Sequence, residues 1–199
     1  MKLLYSPTSP YVRKVRAVAI EKGVSSQLEL ISATPWPDPT HIATLNPLGK
    51  IPVLVCDDGT ELYDSPVICE YLDSLTPDPQ LIPAAGMTRF RILRLQALAD
   101  GIMDAGVSII LEKRRPPAEQ SPAAQARALN AITRGVGALQ GELSLSTHAI
   151  DLGQLAIAVA IGYLEFRFPE LEVLAPRYGL QDWWQRISAR PSLQTTIPN

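Results

Sequence analysis

From Thr76 to Gly86 the chain reads Thr-Pro-Asp-Pro-Gln-Leu-Ile-Pro-Ala-Ala-Gly. A stretch this rich in proline can continue neither a helix nor a strand, because each proline removes a backbone donor and fixes its own φ. It divides the sequence into two parts with different patterning. The expected organisation is a first domain over residues 1–77, a linker over 78–86 and a second domain over 87–199.

Short strands and helices alternate before the break. Lys2-Leu-Leu-Tyr5 reads as a strand, and Tyr11, Val12, Val15, Val18 and Ala19 recur at helical spacing until Gly23 stops the helix. Gln27 to Ser32 reads as a second strand. Val53-Leu54-Val55 and Glu61-Leu62-Tyr63 flank an Asp58-Gly59 turn, and Ser65-Pro66 opens a helix with Ser65 as cap and Pro66 in the first turn. The order is βαβ followed by ββα, an α/β domain around a mixed four-stranded sheet.

Only helical spacing follows the break. Leu95, Leu98 and Ile102 mark one helix, and Leu129, Ile132, Val136, Leu139 and Leu143 another, separated by Pro116-Pro117 and a Ser121-Pro122 start signal. Leu152 to Ile161 is apolar on every side but too short for a bilayer, which needs about 20 apolar residues, so it reads as the central helix of a bundle. Asp151-Leu-Gly-Gln154 has capping-box spacing, with Gln154 expected to reach back to the Asp151 N–H. The second domain is therefore an all-α helical bundle.

Chemistry concentrates in Asn46-Pro-Leu-Gly-Lys-Ile-Pro52 and in Asp64-Ser65. Ile51-Pro52 stands at the mouth of a strand, and an X-Pro bond is where a cis peptide is least unfavourable. That arrangement presents the backbone of Ile51 to an extended ligand, which can pair with it as an added strand. Ser65 at a helix start offers free N–H groups to a carboxylate, while Asp64 can take an ammonium. An α-amino acid head group carries both charges.

With these residues in view, the stretch resembles the glutathione site of cytosolic glutathione transferases, whose pattern is N-P-x-G-K-[VI]-P followed by [ED]-S-x-x-I; here the second half is Asp64-Ser-Pro-Val-Ile68. The resemblance implies a thioredoxin-like first domain, glutathione as co-substrate and no metal. It also implies pairing of the cysteinyl backbone with Ile51 before a cis Pro52, and a γ-glutamyl head held by Asp64 and Ser65. Lys50, inside the motif, is the better candidate for the glycine carboxylate; Trp36 and His41 read as loop packing. Ser9-Pro10-Tyr11-Val12 falls at the loop that reads C-P-Y-C in glutaredoxin-like proteins, so Ser9 stands in place of their nucleophilic cysteine. Its hydroxyl can donate to the glutathione sulfur, and it can equally serve as a helix cap. Tyr5 is the rival thiolate partner, with Thr8 and Ser6 weaker ones.

Asp151-x-x-Gln154 departs from the S/T-x-x-D of the family while keeping the capping physics. Gly162-Tyr-Leu-Glu-Phe-Arg167 and Arg190-Pro-Ser-Leu extend the likeness, most like small bacterial members with serine in the active loop. In the helix after the break, Gln96, Asp100, Asp104 and Ser108 form a polar stripe, and the family implies that Asp100 or Asp104 reaches glutathione bound to the other subunit of a homodimer. A small apolar electrophile is expected beside the long helices near Met103 and Val107.

Other readings have little to stand on. A formal net charge of −2 argues against nucleic acid, and Arg13-Lys14 and Lys113-Arg114-Arg115 read as solvated faces. There is no signal-peptide pattern, so the cytoplasm is the expected location, and the resemblance implies a detoxification enzyme. Cys56 and Cys69 match neither a redox nor a metal motif, and His41 and His148 sit beside no nucleophile. The alternatives are a non-catalytic adaptor of the same fold that binds a protein partner, or a glutathione-dependent reductase or lyase acting on a specific metabolite.

Overall fold

The computed structural model describes residues 1–143, 149–175 and 177–198. His148 lies outside the described residues, as does the side chain of Leu143. The chain forms two compact units, Met1–Ile92 with Pro191–Asn199, and Leu93–Arg190.

The first unit contains β1 (Lys2–Tyr5), α1 (Pro10–Glu21), β2 (Glu29–Ser32), the short α2 (Thr40–Ala43), β3 (Val53–Val55), β4 (Glu61–Leu62) and α3 (Ser65–Ser74). The strands make one sheet in the order β2-β1-β3-β4; β1 is parallel to β2 and antiparallel to β3, and β3 is antiparallel to β4. This is the expected mixed four-stranded sheet. Leu3, Leu4, Val53 and Leu54 are all buried, so the two central strands have both faces covered. Helix α1 packs on α3 and contributes Val12, Val15 and Val18 to the core. The second strand is shorter than expected: Ser25–Gln27 is a 3-10 turn, and pairing begins only at Glu29. Three polar residues in a row supply no alternation to extend it.

One charged cluster in this unit differs from expectation. Arg13 and Lys14 are buried rather than solvated. Arg13 donates from Nη2 to the Leu193 carbonyl at 3.1 Å, and burial pushes its guanidinium down to about 10. Leu193 belongs to α8 (Pro191–Gln194), which packs on α1, and Ser192 beside it hydrogen-bonds Glu21.

Lys22 and Asp73 form an ion pair, Nζ to Oδ1 2.9 Å, with the lysine side chain fully buried. Nζ also donates to the carbonyls of Thr76 (2.7 Å) and Pro79 (2.6 Å), which accounts for all three of its hydrogens. The Asp73 carboxylate accepts from the N–H groups of Leu81 and Ile82, both at 2.9 Å. The proline-rich segment, which has no helix or strand of its own, is thereby held by one satisfied polar network.

Helix α4 (Met87–Lys113) begins in the first unit and continues into the second, which holds α5 (Pro122–Leu143), α6 (Leu152–Arg167) and α7 (Tyr178–Ser188). Every residue of α6 from Leu152 to Leu164 is buried, as its all-round apolarity requires. Ile132, Val136 and Leu139 of α5 and Leu180, Trp183 and Ile187 of α7 are buried with it, whereas Leu129 is 37% exposed and lies off the apolar stripe. The Asp151 carboxylate caps α6 by accepting from the Gln154 N–H at 2.8 Å. The Gln154 amide turns to the other Asp151 oxygen (3.2 Å) and the Ala149 carbonyl instead of the Asp151 backbone, because a glutamine offers N–H donors that a carboxylate would not. Among the described residues no helix is long and apolar enough to cross a membrane.

Candidate functional site

Strand register brings the scattered motifs to one place. Leu4 pairs with Val53 and Leu54 with Leu62, so the C-terminal end of β1, the N-terminal end of β3 and the C-terminal end of β4 share one end of the sheet. Ser9 follows the first, Ile51-Pro52 precedes the second, and Asp64-Ser65 follows the third. Neighbouring strands lie about 4.8 Å apart, so two spacings separate β1 from β4 by about 10 Å. An extended tripeptide covers about the same distance. Helices α1 and α3 both start at this end, turning the positive ends of their dipoles toward it.

Pro52 is buried and follows a cis bond from Ile51. The loop before it is shaped by Asn46, which is 2% exposed. Its amide donates to the Lys50 carbonyl at 2.9 Å, its side-chain oxygen accepts from the Leu48 N–H at 3.0 Å, and its carbonyl accepts from the Gly49 N–H at 2.8 Å. Gly49 has φ +61°, and a Cβ there would lie 2.9 Å from the Pro39 Cβ. Sequence reading had given Asn46 and Gly49 no part of their own; their role is to fold the loop that ends in Ile51 and Pro52, and the signal was the Asn-Pro-x-Gly turn itself. Gly49→Ala is expected to lower stability by about 2–3 kcal/mol, the left-handed backbone and the clash adding together, as read from urea unfolding. A loss below about 0.5 kcal/mol, within the range of an ordinary surface substitution, would show that the loop yields without strain.

Asp64 is the N-cap of α3, with extended backbone (φ −93°, ψ −161°), and its carbonyl takes the first helical bond from the Ile68 N–H at 3.1 Å. Ser65 is therefore the first helical residue and not the cap expected from sequence, and Pro66 follows in the same turn. The Asp64 side chain is exposed and makes no capping bond, while Ser65 is 2% exposed.

Ser9 caps α1, accepting from the Val12 N–H at 3.4 Å, with Pro10 in the first turn. That occupies one lone pair and leaves the hydroxyl hydrogen able to donate elsewhere. Tyr5, at the end of β1, is half-buried with the Arg16 guanidinium 6.0 Å from its ring centre. Lys50 is exposed at this sheet end. Trp36, 52% exposed, and His41 on α2 stand out into solvent and do not pack as expected. Among the described residues no three potential metal ligands come together.

Residues 8–75, spanning every one of these motifs from Ser9 to Ser65, match the family model described as glutathione S-transferase, N-terminal domain. The chain is 41% identical over 170 residues to the GST-like protein YibF of Escherichia coli K12, covering 84% of this chain and 83% of that one. The chain belongs to the glutathione S-transferase family. Solved structures of two members are similar throughout. A glutathione transferase family member from Pseudomonas fluorescens Pf-5 with bound glutathione has TM-score 0.93 and 38% identity, covering 100% of this chain and 98% of that one. A glutathione S-transferase from Methylobacillus flagellatus KT with glutathione bound has TM-score 0.92 and 38% identity, covering 100% and 99%. The glutathione S-transferase architecture expected from sequence, a thioredoxin-like sheet unit with a helical part, is the one observed. Asp100, half-buried, and Asp104, exposed, lie on the part of α4 that belongs to the helical unit of this transferase-family fold.

Proposed function

We propose that this chain binds glutathione at the end of the β1-β3-β4 sheet, ionises its thiol and directs the thiolate at a small apolar electrophile, forming a thioether. The observation that carries the reading is the strand register, which brings the strand ends that lead to Ser9, Ile51-Pro52 and Asp64-Ser65 to one end of the sheet. The two family members solved with glutathione support it. In this reading Ile51 pairs with the cysteinyl backbone beside Pro52. The Asp64 carboxylate takes the γ-glutamyl ammonium, and Ser65 with the start of α3 takes its carboxylate. Lys50 meets the glycine carboxylate, and Ser9 donates to the sulfur. Residues 1–77 then carry the glutathione site and 78–86 link it to the helical part over 87–199, whose last residues, from Pro191, return to the first unit. The enzyme works as a cytoplasmic homodimer in which Asp100 or Asp104 reaches the partner subunit's glutathione.

A calorimetric titration with glutathione tests the grip. Ser65→Ala is expected to weaken affinity about 10- to 100-fold, the loss of a hydrogen bond to a charged group. Wild-type protein that takes up no glutathione at millimolar concentration would sink the proposal and favour an adaptor that has kept only the fold.

A further inference from the structure

Lys113, Arg114 and Arg167 of the helical unit stand near the rings of Phe168, Tyr163 and Phe166 and, among the described residues, form no ion pair. Gly106 of α4 lies against both rings: a Cβ there would be 3.0 Å from Tyr163 Cε1 and 3.4 Å from Phe168 Cε2. Lys113 Nζ, at the end of α4, sits 5.5 Å from the centre of the Phe168 ring. Tyr163 is 3% exposed. Burial pushes its phenol up, and the nearby charges of Arg167 and Arg114 pull the other way. Arg167 also stacks on Phe166, 4.5 Å from ring centre to guanidinium carbon, and Phe166 is 38% exposed.

The acidic groups of these elements are turned to other tasks. Glu112 accepts from the Ser121 N–H at 2.6 Å and lies 3.9 Å from Arg115, which also pairs with Glu119. Burial pushes the Glu165 carboxyl up. Among the described residues Lys113, Arg114 and Arg167 have no ion pair, and the buried Nε of Arg167 has no acceptor. A buried guanidinium N–H without a partner is unfavourable. Cations at helix C-termini are ordinary, but that role explains neither the orphaned Nε nor the exposed ring.

We propose that Arg167, Arg114 and Lys113 form a recognition site for the carboxylate of a small molecule whose apolar body lies on Phe166. The planar fork of Arg167 suits a carboxylate edge, and Lys113 and Arg114 at the end of α4 add charge. The site lies within the helical unit and extends the transferase reading without depending on it.

Phenylacetate titrated calorimetrically into the full chain at low salt is the test, with benzyl alcohol as the neutral analogue and inorganic phosphate as an anion without a ring. Saturable binding of phenylacetate in the millimolar range or tighter is expected. It should weaken about 10-fold or more in Arg167→Met, which keeps the apolar stem, and about 3-fold in Arg114→Gln, as loss of charged hydrogen bonds implies. Arg114 is exposed, so its variant keeps the test decisive should Arg167→Met not fold. Equal affinity in wild type and variants, no saturation by tens of millimolar, benzyl alcohol binding as well as phenylacetate, or phosphate binding more tightly would each overturn the assignment. Glutathione titrated into the same samples reports separately on the first site, so failure of one reading is distinguished from failure of the other.

Discussion

Asp73→Ala is expected to destabilise the protein by about 3–5 kcal/mol, the usual consequence of leaving one member of a buried ion pair alone. The reason lies in the number of groups that depend on this carboxylate. Removing it strands the fully buried Lys22 ammonium and leaves the Leu81 and Ile82 N–H groups without their acceptor. With a urea m-value of about 2 kcal/mol/M the unfolding midpoint should fall by about 2 M. The double variant Lys22→Met/Asp73→Leu separates charge from hydrogen bonding. An isolated buried pair can be replaced by apolar groups at little loss, but here two backbone donors stay orphaned, so the double variant should recover only part of the stability. An Asp73→Ala midpoint close to wild type would mean that the network does not hold the segment.

Ser9→Ala should leave glutathione affinity largely intact and raise the pKa of the bound thiol by about one to two units, equivalent to about 1.4–2.7 kcal/mol of lost thiolate stabilisation. The sign of the pH dependence follows directly. Below the wild-type value, the variant holds 10- to 100-fold less thiolate, and the conjugation rate should fall by about that factor. Above both pKa values, the two proteins hold the same fraction, so the deficit should close as pH rises. Thiolate absorbance followed across pH on both proteins measures the shift without any electrophile. An unchanged profile would remove Ser9 from the chemistry and bring Tyr5, half-buried at the end of β1, to the front.

Local signals were legible in the sequence because they act over a few residues. A proline at a strand mouth, an aspartate and serine at a helix start, and apolar residues three and four apart carry their geometry with them. The candidate site could be assembled from these because strand order joins their ends. The tertiary polar network could not. Lys22 and Asp73 are 51 positions apart, and nothing near either one names its partner. Arg13-Lys14 reads the same whether solvated or buried; only the packing of α8 on α1 decides it. The loop role of Asn46 was within reach of turn chemistry. The cation cluster at the ends of α4 and α6 was not, since Lys113 and Phe168 meet only through the fold.

Residues 191–199 complete the first unit, and the helical unit is thus an insertion in it. The Arg13–Leu193 hydrogen bond closes a loop of 180 positions. During synthesis at about 5–20 residues per second, the sheet unit must wait roughly 7–26 seconds after its last strand before the segment that covers Arg13 is made. Throughout that interval the flank of α1 that α8 later covers, with the Arg13 guanidinium, stays open to water, so the sheet unit gains its full cover only after the helical unit has been made.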